Sequence, residues 1–122
     1  MSNSIPERPI AIREALLNRV YPIIERLKGN MSIIGYDIQL QSFTQAGPTG
    51  NPVLINTYCL VINTLGAILG EENHLSYTFT FDQSPKAPND IQLEQYVKET
   101  LQRLGIMRVR QLQMNRPQND GN

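Results

Sequence analysis

The sequence predicts an α+β domain: an antiparallel sheet of three to four strands with a long hairpin, packed by two helices in the order α-β-β-β-α-β. Three observations predict it. Apolar residues recur at helical spacing near both ends of the chain, they alternate strictly in two central segments, and between those segments they fill odd and even positions alike. A spacing of three and four marks one face of a helix, and a period of two marks one face of a strand. A stretch apolar at every position marks a strand that seeks cover on both sides.

Residues 1–8 are expected to fray. From Pro9 to Lys28 the stripe Ile12, Leu16, Val20, Ile23 and Leu27 predicts the first helix. Pro9 suits a first turn, Arg26 and Lys28 suit a last turn, and Gly29-Asn30 supplies a left-handed stop. Pro22 removes one helical hydrogen bond and crowds the carbonyl of Asn18, which predicts a kink or a break there. Ser32 to Thr44 alternates, with Ile34, Tyr36, Ile38 and Leu40 on one face and Asp37, Gln39 and Gln41 on the other. Two Gly and two Pro within Gln45–Pro52 mark a loop. Pro52 to Leu65 is the two-faced strand, and Gly66 to Asn73 is a turn. His74 to Asp82 alternates again, with Leu75, Tyr77, Phe79 and Phe81 inward, so the three strands read as a meander with the long one in the middle.

After the spacer Ser84–Pro88, Asn89 and Gln92 have the spacing of a capping box. Leu93, Val97, Leu101 and Leu104 give the second helix, and Gly105 is expected to end it. Ile106 to Leu112 is read as a short fourth strand. Gln113 to Asn122 is polar and is expected to be a flexible tail behind a single domain over residues 1–112.

The composition narrows the function classes. Eleven basic and eleven acidic residues cancel in 122, so no net field draws the chain toward nucleic acid or an anionic membrane. Asn and Gln together number 21 against 22 charged residues, a surface that meets copies of itself with little repulsion. One cysteine allows no intrachain disulfide, and the N-terminus lacks a signal-peptide pattern, so cytoplasmic synthesis is the expectation. No charge occurs between Asp37 and Glu71. Within that run Val53–Gly70 approaches the length of a membrane helix, but Asn56, Thr57, Asn63 and Thr64 interrupt it and no Lys or Arg flanks it. The strand reading is preferred, and no membrane partner is expected.

Candidate chemistry is sparse. Cys59 and His74 are the only residues of their kinds. A nucleophile pair needs them adjacent, whereas Cys59 reads as a small core residue and His74 as a solvated turn residue. Glu71-Glu72 reads as a solvated turn tip. Gly47-x-x-Gly50 and Gly66-x-x-x-Gly70 lack the Lys-Ser/Thr of a phosphate loop. Neither a cofactor nor a metal is expected, and enzyme is the weaker class. Arg103, Arg108, Arg110 and Arg116 occur with no acid between Thr100 and Gln118. On a strand Arg108 and Arg110 would share a face and could meet nucleic acid or an acidic protein. A solvated strand edge explains them as well, since charge protects edges.

Strand length points to self-association. Two strands of about 12 residues would span about 40 Å, and a helix of about 15 residues spans only about 23 Å. The hairpin end near Gln41–Asn56 is then expected to project past the helices with Phe43, Val53, Leu54 and Ile55 at a subunit interface. The order helix, three strands, helix also belongs to double-stranded RNA-binding domains. Those need a lysine cluster at the second helix start, and here that place holds a lone Lys86 before Asp90. With the added final strand and the projecting hairpin, residues 9–112 resemble, in layout and composition, the ring-forming tail-terminator and neck proteins of tailed bacteriophages. That resemblance implies a homo-oligomeric ring in a virion, docked to other structural proteins, and it carries over no functional residue.

Overall fold

The computed structural model describes residues 4–81 and 88–114, without the side chains of residues 4–11 and Phe43. Helix α1 spans Ser4–Leu27, strand β1 Ile33–Ala46, strand β2 Pro52–Thr64, strand β3 Leu75–Thr80 and helix α2 Asp90–Met114, with a short 3-10 turn at Glu71–Asn73 before β3. The strands form one antiparallel sheet in the order β1-β2-β3. This is the α+β meander with the two-faced strand in the middle, but the edge strand β1, at 14 residues, is slightly longer than β2, at 13.

The helices lie on one face of the sheet. Leu16, Val20, Ile23 and Ile24 from α1 meet Leu93, Tyr96, Val97, Leu101 and Leu104 from α2 over Ile38, Leu60, Ile62 and Phe81. Leu60 pairs with Ile38 on one side and Phe79 on the other, so a single apolar row crosses the sheet beneath both helices. Ion pairs Arg26–Glu94 at 2.9 Å and Arg19–Asp90 at 2.8 Å tie α1 to the start of α2. Burial of the apolar stripes, at about 25 cal/mol per Å², dominates over these exposed pairs.

Several expected element ends move. Helix α1 begins at Ser4 and runs unbroken through Pro22. Leu16 and Val20 before the proline and Ile23 and Ile24 after it enter the same core, so packing holds both sides of the lost hydrogen bond in one helix. The stop is where it was predicted, with Gly29 in the left-handed region at φ 58. The Asn89–Gln92 capping box is present, each residue's backbone N–H donating to the other's side chain at 2.9 and 2.8 Å.

Gly105 does not end α2, and the fourth strand is replaced by helix. Residues 106–112 belong to α2, which reaches Met114 and so absorbs the first two residues of the expected tail; residues 115–122 lie outside the described ones. Gly105 keeps a right-handed φ. A helical glycine costs about 1 kcal/mol relative to alanine, and tertiary contacts offset it: Met107 packs against the core. The Gln111 side chain accepts from the Ala67 N–H at 2.7 Å and donates to the Asn73 carbonyl at 2.9 Å, spanning the β2–β3 connection. The helix therefore extends toward that connection, away from the β1–β2 loop.

The two-faced stretch also divides. Its inner half is closed within the molecule: Leu60 and Ile62 lie under the helices, and Thr57 and Cys59 on the opposite face are buried as well. The Thr57 hydroxyl donates to the Phe81 carbonyl at 3.1 Å, and Cys59 Sγ lies 3.6 Å from Thr80 Oγ1. The requirement for outside cover, expected of residues 53–62, is confined to the outer end.

Candidate functional site

The outer half of the β1–β2 hairpin carries exposed apolar side chains, Leu40, Val53 and Leu54. It is paired without interruption, from Leu40 opposite Tyr58 through Phe43 opposite Ile55 to Ala46 opposite Pro52. Its tip is fixed by backbone bonds, Gly47 N–H to Asn51 O at 2.8 Å and Gly50 N–H to Gly47 O at 2.9 Å. A Cβ at Gly47 would lie 2.7 Å from the Val53 side chain, so the turn closes this tightly only with glycine there. Ser42 Oγ donates to Asn56 Oδ1 across the ribbon. The outer end is thus a continuously paired ribbon.

Leu40, Val53, Leu54 and Ile55 are not part of the core cluster beneath the helices. Leu40 is 46% exposed, Val53 42% and Leu54 66%, while Ile55 is half-buried. Leu40 and Leu54 lie on the helix-side face, Val53 and Ile55 on the other. Of the four expected interface residues, three form one apolar run at the start of β2, Val53 and Leu54 exposed and Ile55 half-buried. The backbone of Phe43 pairs with Ile55, and its side chain lies outside the described ones. Leu40 was missed because its alternation with Gln39 and Gln41 assigned it to the covered face. The face is right, but the cover stops short of it.

The ribbon's two edges differ. On the β1 side Arg13 Nε donates to the Ile38 carbonyl at 2.8 Å and its guanidinium pairs with Asp37, so a charged side chain blocks that edge at the root of the hairpin. On the β2 side the last bond to β3's end runs from Phe81 N–H to the Tyr58 carbonyl at 2.9 Å. Beyond it, nothing among the described residues pairs with residues 52–57 on that side.

The arginines are not one stripe. On a helix of 3.6 residues per turn, Arg108 and Arg110 point about 160° apart. Arg103 donates to Glu99 at 2.7 Å one turn back, and that carboxylate raises the pKa of the guanidinium. Arg116 lies outside the described residues. The shared strand face that motivated a basic contact is replaced by helix. In its place α2 presents exposed Ile106, Val109 and Leu112. A shallow groove of about 440 Å³ lies there, lined by Gln102, Gly105, Ile106, Val109, Arg110 and Gln113. Leu104, Met107 and Gln111 continue the inward stripe at spacings of three and four, the signal by which the sequence discloses that helix.

The expected chemistry of the remaining singletons can be placed. Cys59 pairs with Thr80 at one end of β3, and His74 precedes the other end. Six residues of strand separate them by about 20 Å, so they form no nucleophile pair. Glu71 and Glu72 are exposed on the 3-10 turn. Among the described residues no three His, Cys, Asp or Glu side chains are grouped as metal ligands. None of their helices is long and apolar enough to cross a membrane; the uncharged run that approached that length is β2 and its following turn.

The order α-β-β-β-α is the one shared with double-stranded RNA-binding domains, but α2 opens on Asp90-Ile91-Gln92, with no basic residue before Lys98. No protein-family model matches the chain, and neither a curated protein nor a solved structure is significantly similar to it.

Proposed function

We propose that this chain is a non-enzymatic assembly subunit that joins copies of itself through the outer half of its β1–β2 hairpin. The observation that carries the reading is the run Val53-Leu54-Ile55 at the end of a paired ribbon, with Val53 and Leu54 exposed on opposite faces and none of the three in the core cluster beneath the helices. It sits inside 33 consecutive uncharged residues, Ile38 to Gly70, so two such ends meet without like-charge repulsion. Leu54, 66% exposed, would gain most on association, and the apolar area still exposed at Val53 and Ile55 adds at about 25 cal/mol per Å², before the cost of lost translational and rotational freedom.

A place in a virion, as a ring-forming tail or neck component bound to other structural proteins, is the setting this reading takes from the layout. Support for it rests on the projecting hairpin and the helix–meander–helix order; the last strand of the expected layout no longer contributes. Native mass spectrometry at micromolar concentration tests the core of the proposal. The wild type is expected to be oligomeric, and Leu54→Asp is expected to be monomeric with an unchanged circular dichroism spectrum. A wild type that stays monomeric refutes it. Electron microscopy of the assembled protein tests the ring: closed annular particles are expected, and open or irregular aggregates count against it.

A further inference from the structure

We infer that the turn carrying Leu69 docks into the shallow groove on α2 of a second copy of this chain, with Glu71 and Glu72 of the turn facing Arg110 on the groove rim. This contact uses a different surface from the hairpin and stands without that reading. Val53 and Leu54 lie at the start of β2, and the turn follows its other end, about 40 Å away at strand rise.

The turn holds its leucine outward. Leu69 is 95% exposed, the highest value of any large apolar side chain among the described residues. Its carbonyl accepts from the Asn73 side chain at 2.8 Å, and the Asn73 N–H donates to the Gly70 carbonyl at 3.0 Å. Gly70 sits at φ 115, and a Cβ there would lie 2.7 Å from the Glu72 carboxylate, so the turn takes this form only with glycine. Gln111 ties the same segment to α2 through the Ala67 N–H and the Asn73 carbonyl. A side chain presented by a turn fixed in this way loses little freedom on docking.

The groove has the complementary shape. Gly105 has open space where a side chain would stand, and Ile106, Val109 and Arg110 surround that gap. Leu69 of the same chain does not fill it, since a leucine seated there would not be 95% exposed. Gln111, which holds the turn, lies about 140–160° around α2 from Ile106 and Val109. The groove thus faces away from its own turn.

Charge decides the occupant. Among the described side chains, every Asp, Glu, Lys and Arg takes part in an ion pair except Glu71, Glu72, Arg108 and Arg110. The two acids follow Leu69 by two and three residues, and Arg110 lines the groove. Knob and hole therefore carry opposite charge, and a second copy supplies the leucine and the carboxylates in one segment. A patch that fits a different patch makes a heterologous contact, the kind that propagates into rings or chains. One leucine among exposed charges belongs with the weak interfaces, so the contact is populated at sub-millimolar concentration rather than micromolar.

The test uses the full chain with Leu54→Asp, which removes the hairpin contact and keeps the two readings separable. Arg110→Lys is added; it preserves the charge and supplies an amine that a carbodiimide couples to a touching carboxylate. Isotope-labelled and unlabelled chains are mixed equally at sub-millimolar concentration, coupled and digested. Mixed-label peptides joining position 110 to Glu71 or Glu72 are expected. Leu69→Ser, and separately Gly105→Met, which fills the gap, should each lower their yield roughly tenfold. The cross-link of Lys98 to Glu94 within one chain should not change, which shows that the fold is kept. Added salt should lower the mixed-label yield as well. Absence of mixed-label peptides, or a yield indifferent to both variants, overturns the contact, including the case in which residues 115–122 of the same chain fill the groove. A wild type that is monomeric at micromolar concentration refutes the hairpin reading and leaves this one standing.

Discussion

Leu60 and Leu54 are the same residue type, on the same strand and the same face, six residues apart. Leu60 is fully buried and Leu54 is 66% exposed. Local sequence does not separate them, since each sits in an apolar run within one uninterrupted ladder with β1. The difference lies in what is stacked on them. Leu60 lies in the core cluster with residues of both helices and between Ile38 and Phe79, whereas Leu54 is outside that cluster and has no β3 partner among the described residues. A strand ladder extends a ribbon well past its core, because backbone bonds need only a partner strand. The apolar side chains on that extension are left to find cover elsewhere.

The largest expected contrast comes from truncating both leucines. Leu60→Ala leaves a cavity beneath two helices and should cost about 2–5 kcal/mol. Leu54→Ala, measured in dilute monomer, should stay within about 0.5 kcal/mol. Urea denaturation of the two variants checks this, and equal costs would erase the distinction between the halves. Next, Asn89→Ala removes a cap and should cost about 1 kcal/mol, through the helix over the inner half. The oligomer should form at unchanged concentration relative to folded protein, which native mass spectrometry reads.

Gly105→Ala sharpens the comparison in the opposite direction. A Cβ at Gly105 meets nothing within 4 Å, so the substitution should stabilise by about 0.5–1 kcal/mol, seen as a higher melting temperature. Assembly through the hairpin should not change. The smallest effect is on pH dependence. The hydrogen bond from Arg26 lowers the pKa of the Glu94 carboxyl, with the Arg26 and Lys98 charges adding to it. A depressed folded-state pKa contributes stability above the unfolded carboxyl pKa of about 4.3, and that contribution is lost as pH falls through the folded value. Arg26→Gln should flatten this part of the acid titration of stability and leave neutral-pH assembly intact.

Legibility followed how local each signal was. The alternation of Leu75, Tyr77 and Phe79, the capping pair Asn89–Gln92 and the glycine stop at Gly29 each depend on a few adjacent residues, and each stands where it was read. The misreadings share a cause. Gly105 and Pro22 carry strong local preferences, and contacts distant in sequence overrode both: Gln111 with Ala67 and Asn73, and the common core around Ile24 and Val20. Reading residues 106–112 as a strand followed from stopping at Gly105, and it carried Arg108 and Arg110 onto one face. The inward positions Leu104, Met107 and Gln111 kept the helical period throughout. For the candidate site, Val53, Leu54 and Ile55 were legible as a surplus of apolar residues. Leu40 was not, because nothing local says where a helix layer ends.

By itself the sequence determined the helix stripes, the meander, the turns between strands, and an apolar excess in the middle strand too large for one covered face. Tertiary structure alone decided where that excess stays exposed. Periodicity names the face a side chain takes, but exposure depends on how far other elements reach across it, a property of distances between segments far apart in the chain. Here α2 grew toward the β2–β3 connection, held by one glutamine, and β3 stopped at Thr80. At the start of β2, Val53 and Leu54 stay exposed.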